Sequence, residues 1–171
     1  MSTGKRPKGD TKVGKSAARL AAVQALYQVA ATEADYTKVV RDFLAGRLGG
    51  TAISEDPDTD AETQVRLAEM DAGMFSGLVS EAIARQADAD DMISASLSAG
   101  WPDDRLEVIV RSILRAAVAE LLGAEGAPAR VIISEYVDIT HAFYTGPEPK
   151  MVNAVLDKIA RVLRSKELVA P

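Results

Sequence analysis

The sequence of 171 residues contains no cysteine and a single histidine, His141. Without cysteine there is no disulfide framework, thiol nucleophile or thiolate metal site, and one imidazole is too few for a zinc site built from histidines. No apolar run reaches the roughly 18 residues of a membrane-spanning helix, and the basic N-terminus lacks the apolar core of a signal peptide. These absences predict a cytoplasmic protein with no cofactor, no metal and no membrane partner.

The charge is unevenly distributed along the chain. The whole sequence has a formal net charge of −5, but residues 1–19 hold six bases and one acid, a local charge of +5. The remaining 14 bases and 24 acids give −10. This asymmetry indicates a basic arm on an acidic body. Residues 1–14 contain almost nothing apolar, so we expect a disordered basic tail there, a domain over 15–165, and a short C-terminal tail over 166–171.

Apolar residues recur with the helical period of 3.6 and nowhere alternate convincingly with period two. The pattern predicts one all-α domain of about seven helices, with a loop between Gly46 and about Asp60. Asp103 is expected to cap the helix that follows it, and Pro128 to open the next one. In the first helix, Leu20, Val23, Tyr27 and Ala30 share one face. The expected helices cover residues 15–31, 35–46, 62–87, 89–98 and 104–122, and two more flank a Gly/Pro loop at 145–147.

Three blocks of sequence point to one family. The first is Ala22-Val23-Gln24-Ala25-Leu26-Tyr27, and the second runs from Arg111 to Leu121 with Ile113, Leu114, Arg115 and Glu120 in place. The third lies between Pro128 and Arg161 and includes Ile133, Glu135, Phe143, Lys150, Val152-Asn153 and Val155-Leu156-Asp157-Lys158. In this order and with this spacing, they resemble the NusB family over most of residues 15–163. The resemblance implies an all-helical fold of two packed three-helix subdomains.

The resemblance also implies a function. NusB-like proteins are RNA-binding transcription antitermination factors and not enzymes. They pair with NusE, a small-subunit ribosomal protein, and bind boxA-type single-stranded RNA within an RNA polymerase antitermination complex on ribosomal RNA operons; they occur as monomers or homodimers. Candidate RNA-binding residues here are Lys12, Lys15, Ser16, Arg19, Gln24, Tyr27, Lys150 and Met151. The candidate partner-binding residues are Asp104, Glu107 and Arg111.

Other interpretations remain open. Gly9 to Ser16, GDTKVGKS, matches the P-loop pattern GxxxxGK[ST], yet the polar residues 1–8 cannot form the buried strand that such a loop requires. A NusB-like domain also begins some RNA cytosine methyltransferases, so the chain could instead be a stand-alone accessory domain of an RNA-modifying system. Arg111 and Arg115 share a helix face and could simply form ion pairs, for example Arg111 with Glu107. Three residues, Asp56, Asp58 and Asp60, mimic half of an EF-hand loop but are more typical of a solvated acidic loop.

Overall fold

A computed structural model describes residues 11–46, 70–123 and 126–168 of the chain. Within these ranges the regular structure is entirely helical, which confirms the predicted fold class. A 3₁₀ turn at Asp103–Arg105 precedes the fifth helix. The helices are α1 Lys12–Thr32, α2 Tyr36–Leu44, α3 Ala72–Ala84, α4 Gln86–Ser96, α5 Val108–Leu122, α6 Ala129–Phe143, α7 Glu148–Leu163 and α8 Ser165–Leu168.

The chain divides into two compact units, residues 1–79 and residues 80–171, with the boundary inside α3. Two units agree with the expected pair of subdomains. The expected basic tail up to residue 10, the loop after Gly46, the EF-hand-like acids and the start of the predicted 62–87 helix lie outside the described residues. So do residues 169–171 of the expected C-terminal tail.

In the first unit, α1 begins three residues earlier than predicted. The hydroxyl oxygen of Thr11 accepts a hydrogen bond from the Gly14 N–H at 2.9 Å and so caps the helix. Hydroxyl side chains are favoured at this position because they satisfy an amide that has no partner within the helix. Residues 12–14 therefore belong to the helix and not to the expected tail. The Gly14 carbonyl in turn accepts from the Asp71 N–H at 3.1 Å, which ties the segment before α3 to α1.

The face of α1 that carries Leu20, Tyr27 and Ala30 is not its buried face. Val23 is buried, but Leu20 is half-buried and both Tyr27 and Ala30 are exposed. Alanine carries a weak hydrophobic signal, yet its small side chain lets neighbouring elements approach the helix closely. The core face of α1 consists mainly of five buried alanines, Ala17, Ala18, Ala21, Ala22 and Ala25. On α2, Val39 and Phe43 are buried, and the Phe43 ring lies 5.5 Å from that of Phe75, centroid to centroid.

The second unit is organised around α5, which packs against α4, α6 and α7. The large apolar residues in the middle of α5 follow the predicted period and are fully buried, and they pack in a core with equally buried residues from α6 and α7. These side chains are Ile113, Leu114, Leu121, Ile132, Tyr136 and Leu156. The prediction for this helix therefore holds, except at its beginning.

Asp103 does not cap α5, contrary to the prediction. It opens the 3₁₀ turn, and α5 begins only at Val108, with Glu107 in the capping position and no side-chain capping bond. The Asp103 carboxylate instead accepts a hydrogen bond from Arg111 at 2.8 Å. The carboxylate that the sequence predicted to cap α5 is therefore bound by the Arg111 guanidinium instead.

The other end of α5 is capped from far along the chain. The Arg164 guanidinium donates to the carbonyl oxygens of Leu121 at 2.8 Å and Gly123 at 2.6 Å, and it also binds Glu167. A cation there satisfies carbonyls that have no partner within the helix and complements the negative end of the helix dipole. The short helix α8, Ser165–Leu168, follows directly where a tail was expected from residue 166.

Candidate nucleic-acid and partner interfaces

The first turn of α1 carries two exposed lysines, Lys12 and Lys15. No acidic residue lies in this turn. The N-terminus of a helix is the positive end of its dipole, so the lysines and the backbone act in the same direction on an approaching anion. The geometry suits phosphate contacts from flexible cationic side chains.

A narrow accessible stripe continues along α1 from these lysines. At about 100° per residue, Ser16, Leu20, Gln24 and Tyr27 fall within about 80° of one another around the helix. Tyr27 is 44% exposed, and Ser16 and Gln24 are partly accessible. A hydroxyl, an amide and an aromatic ring therefore share one side of the helix over a length of about 16 Å.

Arg19 does not belong to this stripe. Only 3% of its surface is exposed, so its guanidinium lies inside the protein and not on the RNA-facing side that the sequence suggested. Around the helix, Arg19 lies about 100° from Leu20 and about 140° from Gln24, but only about 60° from the buried Ala22. The structure therefore does not support a direct contact between Arg19 and RNA.

Among the candidates on α7, the structure separates Lys150 from Met151. Lys150 is exposed, whereas Met151 is 6% exposed and belongs to the core of the second unit. The pattern of α7 explains the difference, because Met151 continues the apolar face that carries Val155 and Ile159. The carboxylate of Glu148, the first residue of α7, folds back over the preceding loop to within 2.9 Å of where a Cβ on Gly146 would lie. A side chain at position 146 would displace this carboxylate.

The three candidate partner-binding residues lie in different environments. Asp104 is exposed in the 3₁₀ turn, and Glu107 is exposed just before α5. The Glu107 carboxylate accepts a hydrogen bond from the Tyr144 hydroxyl at 2.6 Å. Arg111 is different, because its side chain is only 18% exposed and is held by acids of its own unit. Two accessible carboxylates thus remain for a partner, beside the 44% exposed Val108.

Arg111 and Arg115 form ion pairs, as one interpretation of the sequence predicted. Their partners are Asp90 and Asp103, and not Glu107 as the sequence suggested for Arg111. Arg111 binds the side chain and the carbonyl oxygen of Asp103 at 2.8 and 2.7 Å, and lies 3.6 Å from Asp90. Arg115 binds both carboxylate oxygens of Asp90 at 2.8 Å. Asp90 thereby joins α4 to two successive turns of α5.

The remaining motifs of interest take structural roles. Asp157 pairs with Arg161 at 2.8 Å on an exposed face of α7, and this hydrogen bond, with the charge of Asp157, raises the pKa of Arg161. In the P-loop-like segment, Val13 to Ser16 are already helical, and the Gly14 amide is bound to Thr11. That amide is unavailable to a phosphate. Among the described residues, no group of three or more acids or histidines is arranged to hold a metal ion.

Tyr144 and Arg164 were not anticipated from the sequence. Tyr144 follows the last residue of α6, and no periodicity marks a side chain that reaches a carboxylate 37 residues earlier in the chain. Arg164 similarly reaches back 41 and 43 residues to the end of α5. Such contacts follow from the packing of the helices and not from any local pattern.

The fold and these surfaces define a class: an all-helical protein with exposed lysines at the start of its first helix and an acidic turn before its fifth. Within the described ranges, no helix is both long and apolar enough to cross a membrane. The NusB family model matches residues 16–161, and the chain belongs to the NusB family. The resemblance to this family is thereby confirmed.

Named relatives agree with this assignment. The transcription antitermination protein NusB of Rhodospirillum rubrum is 51% identical over 159 residues, covering 90% of this chain and 86% of that protein. The protein of the same name from Rhizobium etli is 43% identical, covering 89% of each. Thermotoga maritima NusB has a similar structure, with a TM-score of 0.60, 27% identity and coverage of 85% and 89%. A crystal structure of antitermination factors NusB and NusE with double-stranded RNA contains a chain with a TM-score of 0.61, 21% identity and coverage of 86% and 96%.

Proposed function

We propose that this protein is a transcription antitermination factor that binds boxA-type single-stranded RNA together with NusE. It acts in the cytoplasm, within an RNA polymerase antitermination complex that promotes processive transcription of ribosomal RNA operons. The observation that carries the proposal is the family match over residues 16–161, joined to 51% identity with a named antitermination protein. The structure of NusB and NusE with double-stranded RNA, which contains a chain of similar fold, supports NusE and an RNA as the partners.

The proposed RNA surface of the first unit begins at Lys12 and Lys15 and follows the stripe of α1. The lysines contact phosphates, and the Tyr27 ring stacks on an unpaired base. Ser16 and Gln24 offer hydrogen bonds to exposed base edges, which is how proteins read single-stranded RNA. In the second unit, exposed Lys150 adds a phosphate contact. Arg19 and Met151, being buried, support these elements from inside.

The proposed NusE surface is formed by the exposed carboxylates of Asp104 and Glu107. Ribosomal proteins are commonly basic, and opposite charges at an interface raise the association rate and fix the orientation of the partners. RNA binding by the chain alone should be weak and sensitive to salt, because few lysines oppose a net charge of −5. Joining two modest RNA-binding surfaces in one complex raises the effective concentration of the second.

The RNA surface is tested by paired substitutions on exposed positions of the first unit. Tyr27→Ala should weaken binding of the NusE complex to boxA RNA by about 5- to 150-fold, since stacking contributes about 1–3 kcal/mol per base. The matched control is Tyr36→Ala, because Tyr36 is 38% exposed but lies on α2. Fluorescence anisotropy with a labelled RNA gives both affinities. Equal losses in the two variants would contradict the proposed surface.

The lysines are tested by salt dependence. Replacing Lys12 and Lys15 by alanine should reduce the slope of log K against log salt by about 0.7 for each phosphate that the protein no longer binds. Lys38→Ala, which changes an exposed lysine of α2, is the control and should leave the slope unchanged. Removing residues 1–10 keeps the Thr11 cap and measures the contribution of the basic arm separately. A duplex of the same sequence as competitor shows whether single-stranded RNA is preferred.

A further inference from the structure

The side chain of Glu107 is held by a contact from outside its own helix. Glu107 occupies the capping position of α5, where a shorter acceptor such as aspartate would bind the free amides of the first turn. Here it makes no capping bond, and its Oε2 accepts from the Tyr144 hydroxyl at 2.6 Å. A hydroxyl bound to a carboxylate at this distance forms a strong, charge-assisted hydrogen bond. The orientation of an exposed glutamate is therefore set by a residue from another helix.

Tyr144 is well placed to hold that orientation. It is half-buried, it follows the last residue of α6 with an extended backbone, and its N–H donates to the Thr140 carbonyl at 3.0 Å. Its backbone is thus anchored to a helix while its hydroxyl reaches the start of α5. An anchored tyrosine has few rotatable bonds, so it limits the conformations that Glu107 can adopt.

A second anchor fixes the neighbouring turn. Arg111 binds both the side chain and the carbonyl oxygen of Asp103, the first residue of the turn that contains Asp104. Asp90 lies 3.6 Å from the same guanidinium and links it to α4. Asp104 therefore lies in a turn whose backbone is held in place by Arg111, and Glu107 has a side chain held in place by Tyr144.

We propose that Tyr144 is a positioning residue for partner binding, holding the Glu107 carboxylate in the orientation that receives a basic side chain of NusE. The inference rests on the proposed function and deepens it. Ordering a flexible side chain on binding costs enough to weaken affinity by about 2- to 12-fold. A hydroxyl that orders Glu107 beforehand removes part of that cost. Tyr144 need not touch the partner itself.

The test removes one hydroxyl group from the intact chain. In Tyr144→Phe the ring is retained, so the melting temperature should stay close to that of the parent protein. The dissociation constant for purified NusE, measured by titration calorimetry, should rise by about 2- to 12-fold. Tyr36→Phe, an exposed tyrosine of the first unit, should change neither quantity.

A double-mutant cycle separates positioning from a general structural effect. In a Glu107→Ala background, Tyr144→Phe should have no further effect, because the group on which it acts is gone. An undiminished affinity of Tyr144→Phe, or an equal loss in both backgrounds, overturns the positioning role while leaving the proposed function in place. Failure of the folded parent protein to bind NusE at all overturns both.

Discussion

Helices α1 and α5 are both buried around most of their circumference, but they are built differently. The core face of α1 is lined mainly by alanines, whereas α5 fills its core side with side chains as large as Ile113, Leu114 and Leu121. Their cations differ as well. The lysines at the start of α1 are exposed, whereas Arg111 and Arg115 of α5 are held by acids of the second unit. Burial alone therefore does not say how a helix responds to substitution, or which of its charges a ligand can reach.

The largest effect is expected in α5. Leu114→Ala removes a fully buried side chain from the centre of the second unit and should lower the free energy of unfolding by about 2–5 kcal/mol. Val108→Ala, on the same helix but 44% exposed, should change it by no more than about 0.5 kcal/mol. Urea unfolding followed by circular dichroism measures both. Similar losses at the two positions would mean that the burial assigned to Leu114 is wrong.

A small-to-large substitution tests the packing of α1. Ala21 is fully buried, so Ala21→Leu forces extra volume into a close contact and should cost about 1–3 kcal/mol. Ala31→Leu adds the same atoms near the exposed end of α1 and should be nearly neutral. The readout is again the unfolding midpoint in urea. If Ala21→Leu is tolerated as well as Ala31→Leu, α1 is not closely packed through its alanines.

A smaller effect tests the arginines. Arg115→Ala removes the bidentate partner of Asp90 and should lower the free energy of unfolding by about 1–2 kcal/mol. This value lies between those for exposed ion pairs and for hydrogen bonds to charged groups. The side chain of Arg115 is 15% exposed, against 61% for Arg161, which also pairs with an aspartate. Arg161→Ala should leave the thermal melting curve unchanged. An equal fall in melting temperature for both variants would contradict the distinction.

Much of the fold could be predicted because large apolar side chains and helix breakers carry strong local signals. Val110, Ile113 and Leu121 mark the face of α5, and Gly123 marks its end. The buried face of α1 could not be predicted in the same way, because its alanines carry only a weak hydrophobic signal. Its start was missed since Thr11 lies among polar residues that resemble a tail.

The candidate surfaces were less predictable than the fold. Sequence patterns selected Lys12, Lys15 and Tyr27, and the structure leaves all three accessible. They could not show that Arg19 is buried, because a charged residue is normally expected at the surface. Nor could they show that Arg111 is held by Asp103 or that Tyr144 reaches Glu107. Which acid a given cation meets depends on how the connecting segments fold.

The cap that Arg164 places on α5 has a consequence for synthesis of the chain. Leu121 and Gly123, whose carbonyl oxygens are bound, are synthesised 43 and 41 residues before the arginine that binds them. At about 5–20 residues per second, that interval lasts on the order of 2 to 8 seconds. During this time α5 can form, but its last turn lacks its final partner. Complete closure of the second unit is therefore a late event in translation, set by the arrival of one arginine.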